Sequence, residues 1–185
     1  MTVLRLFVAL WPPVSVADAL ADAAVAAIRT REGRDLRPTA SHRIHLTCAF
    51  LGDVPGRQVG ELADRLVDVA ATSVASELTL NRAGHFGDHV VWAAPSEPVD
   101  DLKALAKNVR VATRAAGLSV QGAQFRPHLT VARTRQDAAL SPVVERLAES
   151  LGAQPVHWRA DDLCVVSSVR AATPTYEVLE RWSLQ

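Results

Sequence analysis

Along the chain the spacing of apolar positions switches between a period of two and a period near 3.6, and each switch marks a predicted element. Residues 3–10 (VLRLFVAL) alternate, are rich in branched and aromatic side chains, and stop at Pro12-Pro13, which predicts a strand. Val16, Leu20, Ala24, Ala27 and Ile28 then keep helical spacing up to Gly33, with Ser15 and Asp18 placed as a capping-box start. A strand is entered at Ile44. Val59, Leu62, Ala63, Leu66, Val69 and Ala70 share one face of a second helix, the clearest in the chain. Residues 77–82 and 89–94 read as antiparallel strands joined by a turn over 84–88. Pro98 and two acids open a third helix bearing Leu102, Leu105, Ala106, Val109 and Ala112, which Gly117 ends. A strand follows over 126–133, and Ser141-Pro142 opens a fourth helix closed by Gly152. Val156, Trp158 and Ala160 alternate, but the phase shifts at Asp161-Asp162 before Leu163 and Val165, which predicts a bulge. The last strand sets Tyr176, Val178, Trp182 and Leu184 on one face and Glu177, Arg181 and Ser183 on the other.

Read end to end, the order is strand, helix, strand, helix, strand, and then the same order again. The tripeptide His-Leu-Thr occurs twice, at His45-Leu46-Thr47 and at His128-Leu129-Thr130, each at the start of a strand. Random arrangement of this composition gives about 0.04 copies, so the recurrence needs a cause. The spacing predicts an internal duplication: an α+β fold of two lobes related by a pseudo-two-fold axis, with antiparallel sheets flanking a central cleft and helices outside. The whole of 1–185 forms one domain, with duplicated halves near 1–83 and 84–168 and a C-terminal strand, 175–184, completing the sheet.

Composition narrows the function. With 185 residues, 49% of them apolar, the chain buries a real core. Lys+Arg and Asp+Glu both total 20, so no whole-chain positive field marks broad nucleic-acid binding. Positive charge is nearly all arginine, the better partner for phosphate, and Arg29, Arg31, Arg34, Arg37 and Arg43 against Glu32 and Asp35 form a basic lip ahead of the first motif. Two cysteines, Cys48 and Cys164, make neither a disulfide framework nor a zinc cluster, which fits a reducing cytoplasm. Arg5 interrupts the N-terminal apolar run, and no stretch approaches a membrane span, so the expectation is a soluble protein with no membrane partner. Oligomeric state is not legible, and no obligate protein partner is implied.

In a strand, residues i and i+2 share a face, so each motif presents an imidazole and a hydroxyl together while its leucine turns to the core. Two facing imidazoles supply a matched acid and base near neutral pH, and threonine hydroxyls donate to phosphoryl oxygens. An in-line displacement at phosphorus needs that arrangement, a base on one side and an acid on the other. Cys48 is out of phase with His45 and Thr47 and turns toward the core, and neither motif adds ligands for a metal. His42, His85, His89 and His157 lack a paired threonine and read as turn or surface residues. Phe86 and Tyr176 are candidates to stack on a base, with core packing the favoured role.

HLTCAFLG and PHLTVAR, with RLFVAL near the N-terminus and TYEVLERWSL at the C-terminus, resemble the two-histidine phosphoesterase superfamily, and within it the RNA 2′,3′-cyclic phosphodiesterases also called 2′-5′ RNA ligases. The resemblance implies a bilobal fold around a cleft, no metal or other cofactor, and hydrolysis of a 2′,3′-cyclic phosphate to a 2′-phosphomonoester. It assigns His45 as proton donor to the leaving 3′ oxygen and His128 as the base that activates water, a choice that sequence symmetry leaves open. Thr47 and Thr130 would hold phosphoryl oxygens. Arg133, matching the arginine that closes the family's second motif, would add positive charge, the alternative being a salt bridge at the strand end. Where relatives often carry Leu-Lys this chain has Cys48-Ala49, which removes a basic group near the cleft. The expected substrates are RNA 3′ ends or small cyclic nucleotides. Ligation of 2′-5′ linkages, hydrolysis of an ADP-ribose cyclic phosphate, and nucleotide binding without catalysis stand as alternatives.

Overall fold

The computed structural model describes residues 2–30, 33–122, 124–169 and 175–185 of the chain; Arg31 and Glu32 of the basic lip lie outside them. Elements follow in the order β1 (Val3–Leu10), α1 (Val14–Ile28), β2 (Arg37–Pro38), β3 (Leu46–Pro55), α2 (Val59–Thr72), β4 (Ser76–Phe86), β5 (Val90–Pro95), α3 (Asp100–Ala115), β6 (Leu129–Arg133), α4 (Ser141–Ala153), β7 (Val156–Ala160), β8 (Asp162–Val169) and β9 (Thr175–Ser183). The strands pair antiparallel in the order β7-β4-β5-β6-β3-β1-β8-β9, with β2 added to β6. This is the α+β architecture that the pattern predicts. The two sheets of the expectation are the two ends of this order, and one register pair, Leu46 with Leu129, joins them.

The order of strands in the sheet does not follow their order in the chain. β4 pairs with β5 and β7, while β8 pairs with β1 and β9, so each half-sheet draws a strand from the other half of the sequence. That exchange corrects the bulge expected at Asp161-Asp162. The phase shift is a crossing: β7 ends at Ala160 against β4, and β8 starts at Asp162 against β1. A slip does occur in β9, where the register passes from Val178 to Glu180. Tyr176 and Val178 consequently pack against one apolar cluster and Trp182 against the other, so the single face read from alternation is broken at Leu179.

The large core lies between the helices and the sheet face that carries Leu6, Val8, Leu10, Leu46, Leu80 and Leu129. The opposite face of β1 and β8 carries a smaller cluster, Phe7, Ala9, Cys164 and Val166. Residues 6–10 are buried without alternation because β1 is covered on both faces. Helix α1 departs from the capping-box expectation. It starts at Val14 with Pro13 as N-cap and no side-chain cap bond; the Pro13 carbonyl accepts from the amides of Val16 and Ala17. Proline's fixed φ prepares that turn, so the serine is not needed. Pro98 stands two residues ahead of α3, whose first turn holds Asp100 and Asp101, while Pro142 sits in the first turn of α4 as expected. Strand β4 runs through His85 and Phe86, leaving only residues 87–89 as the turn, where Gly87 takes φ 52°. Among the described residues no helix is long and apolar enough to cross a membrane.

Candidate active site

At the Leu46–Leu129 pair the two half-sheets meet, and both motifs meet with them. Both leucines are fully buried in the large core. Because directly opposed residues of an antiparallel pair project to the same side, extending that register by one residue each way sets His45 across from Thr130 and Thr47 across from His128. The four groups thus lie crosswise on the sheet face opposite the leucines. β3 and β6 share no further register pair, so the ladder between the half-sheets is confined to this point.

Both imidazoles are held in the same way. His45 Nδ1 donates to the carbonyl of Arg43 at 2.8 Å, and His128 Nδ1 donates to the carbonyl of Arg126 at 2.7 Å. A carbonyl can only accept, so Nδ1 carries the hydrogen in each ring and Nε2 is left for proton transfer. The sequence signal is Arg-x-His-x-Thr in both copies, one residue type longer than the motif singled out above.

The surroundings of the two rings differ. His45 stacks on Phe7 at 4.7 Å and on Trp11 at 5.4 Å, with Tyr176 edge-on at 5.4 Å. His128 meets the single ring of Phe86, edge-on at 4.8 Å. Desolvation among these rings, aided by the charges of Arg133, His128 and Arg43, lowers the pKa of His45 to about 4 against the pull of its carbonyl partner. Burial and Arg133 lower that of His128 as well. Both are therefore neutral in the empty site at pH 7. Tyr176 packs against the smaller apolar cluster, the role favoured from sequence, and also stands edge-on to His45, whereas Phe86, outside both clusters, stands against His128. Alternation separates the faces of β1 without saying which one meets a motif histidine, so it does not single out Phe7, nor Trp11 just past the end of the strand.

Arg133 reaches the site through an irregularity. The β5–β6 register slips at Val131, so Arg133, which regular alternation puts on the leucine face, comes beside Thr130, with Nη2 3.4 Å from Oγ1. No carboxylate pairs with it among the described residues, so the salt-bridge alternative is not what the strand end holds. The basic lip divides: Arg34 pairs with Asp35, Arg37 is the β2 partner of Arg133, and Arg43 lies over the Tyr176 ring at 5.4 Å.

Cys48 falls in the core cluster as expected, and burial pushes its thiol up to about 12, so no thiolate is available beside Thr47. His42, His85, His89 and His157 lie outside the core; His85 is tied to the Gly87 carbonyl and His89 lies 3.5 Å from Asp137. No group of three or more His, Cys, Asp or Glu placed to hold a metal occurs among the described residues.

The His128 side depends on a close approach. Gly84 is the register partner of Trp92, and a Cβ at residue 84 would stand 2.2 Å from the indole, which in turn backs Phe86 at 5.5 Å. Gly84→Ala should push the indole toward Phe86 and His128, destabilising the fold by about 1–3 kcal/mol and lowering kcat. Urea unfolding alongside steady-state kinetics checks both; an alanine variant with unchanged stability would contradict the contact.

Comparison with known proteins places the chain. Residues 12–172 match the model of the 2′-5′ RNA ligase superfamily. An RNA 2′,3′-cyclic phosphodiesterase of Thermus thermophilus is 30% identical, the match covering 98% of this chain and 91% of the relative. One of Geobacillus stearothermophilus is 31% identical over 76% of this chain and 45% of its own length. Among solved structures, a protein of Thermus thermophilus superposes with TM-score 0.75 at 27% identity over 97% of both chains. Escherichia coli LigT complexed with 3′-AMP superposes with TM-score 0.74 at 26% identity over 100% of this chain and 99% of that one. The family model, relatives and shared fold together show that the chain belongs to the 2′-5′ RNA ligase superfamily of two-histidine phosphoesterases.

Proposed function

We propose that the chain hydrolyses the 2′,3′-cyclic phosphate at RNA ends, leaving a 2′-phosphomonoester, with His45 and His128 as a general acid and base and no metal ion. The crosswise placement of His45 against Thr130 and of Thr47 against His128 carries the proposal, because it puts one proton-transfer group on each side of a phosphorus held between two hydroxyls. His128 Nε2 takes a proton from water as the water oxygen bonds to phosphorus. The bond from phosphorus to the 3′ oxygen breaks, and that oxygen takes a proton from His45 Nε2. Thr47, Thr130 and Arg133 donate to the phosphoryl oxygens, where charge-assisted bonds are strongest. The names of the Thermus and Geobacillus relatives support this substrate, and the assignment of acid and base follows the family resemblance. The strand order, which reads outward from the centre as motif strand and then N-terminal strand of each half, supports a duplicated origin for 1–83 and 84–168.

The pH dependence tests the acid–base pair. Turnover needs one histidine protonated and one neutral, and both pKa values in the empty site are lowered from 6.5, that of His45 to about 4. Raising the pH above these lowered values removes the acid, so kcat/KM should peak below pH 6.5 and fall toward neutrality. A bound phosphate anion favours imidazolium, so the kcat profile should peak at higher pH than that of kcat/KM. A kcat/KM profile still rising above pH 7 would count against the pair.

A further inference from the structure

The cleft holds more positive charge than one phosphoryl group requires. Arg43 is partly buried, its Nε is shielded from solvent without a hydrogen-bond partner, and its guanidinium lies on the ring of Tyr176, which itself stands against His45. Neither Arg43 nor Arg37 nor Arg133 is paired with a carboxylate among the described residues, and Arg37 and Arg133 are direct cross-strand partners. Burying an unpaired cation is costly, and like charges opposite one another in a sheet repel. The cation–π contact fixes the plane of the guanidinium while leaving its donors for something else. The matching residue of the second motif, Arg126, is exposed, so the inward guanidinium belongs to the His45 side alone. In the proposed reaction Thr47, Thr130 and Arg133 hold the reacting phosphoryl group, and Arg43 lies over the Tyr176 ring rather than beside Thr130.

We propose that Arg43 binds a second phosphoryl group, so that the preferred substrate carries a 5′-phosphoryl group on the ribose that bears the cyclic phosphate, as an RNA end does and an isolated cyclic nucleoside phosphate does not. This rests on the phosphodiesterase reading above and names the substrate class of that site. The guanidinium fork matches a phosphoryl group in a bidentate contact, and the Tyr176 ring holds the fork in place. The carbonyl of Arg43 serves His45 separately, so replacing the side chain leaves that hydrogen bond in being.

Calorimetric titration with adenosine 2′,5′-bisphosphate and adenosine 2′-monophosphate, in the wild type, Arg43→Gln and Arg43→Lys, tests it. The wild type should bind the bisphosphate about tenfold or more tightly than the monophosphate, a difference of about 1.4 kcal/mol. Arg43→Gln should bring that ratio to about one, and Arg43→Lys should keep part of it. A ratio near one in the wild type, an unchanged ratio in Arg43→Gln, or equal loss of both probes would overturn the proposal, the last showing a structural role beside Tyr176. Binding is read without turnover, so an absence of hydrolysis would remove the phosphodiesterase reading and leave the Arg43 result to stand or fall by these ratios.

Discussion

His45→Ala and His128→Ala should each lower kcat/KM for an RNA 2′,3′-cyclic phosphate by about 10²–10⁴-fold, the range for losing a positioned acid or base. The double variant should lose little more than the worse single one, because an acid and a base acting in one displacement function as a unit. The two singles should differ elsewhere. His45 is packed among Phe7, Trp11 and Tyr176, so its alanine variant leaves a gap between rings, whereas His128 touches Phe86 alone among aromatic groups of the described residues. His45→Ala should therefore show the larger fall in Tm, and His45→Asn the smaller one. Kinetics with thermal melts on the same samples separates chemistry from folding. A single variant retaining more than a tenth of the activity would remove that histidine from the reaction.

Leu129→Ala should be the most damaging change to the scaffold, costing about 2–5 kcal/mol as a fully buried leucine emptied from a packed core. Leu129 and Leu46 form the one register pair between the half-sheets, and both are 0% exposed. Weakening that contact lets the motif strands shift relative to one another, and displacement of reacting groups by about 1 Å costs about 10²-fold in rate. Activity at a temperature where the variant is still folded should thus fall more than for a comparable change far from the junction, such as Leu151→Ala, which is 1% exposed in α4. Equal stability loss with equal retained activity in both variants would show that the junction does not set the geometry.

The elements legible in the sequence were those written in a single period. The helical spacing of α2 and α3 is local, and the structure places those helices as read, whereas the motif strands, read from Ile44 and from 126, start at Leu46 and Leu129, one residue after each histidine. What escaped notice depends on partners distant in sequence. The slip at Val131 that turns Arg133 toward Thr130 is a property of β5 against β6, and the crossing at Asp161 looks like a bulge until β4 and β1 are known as the two partners. The same holds for the ring cluster at His45. Phe7 sits on a face of β1 buried by its neighbours, and Trp11, just past the end of that strand, packs against the same cluster; both stack on His45, and no period distinguishes that face from core. Gly84 reads as a turn residue because the sequence cannot show an indole lying across it. The exposed lip was legible as charge, but the split between Arg34, tied to Asp35, and Arg43, turned in over Tyr176, required the fold.

The central claim is that two histidines facing one phosphorus open a cyclic phosphate unaided by metal. Incubating the purified protein in EDTA with an RNA ending in a 2′,3′-cyclic phosphate, and locating the phosphate on the product, tests it most directly. Opening should be complete, with the phosphate retained on the 2′ oxygen. An intact cyclic phosphate, opening only when a divalent metal is restored, or a phosphate left on the 3′ oxygen would contradict it.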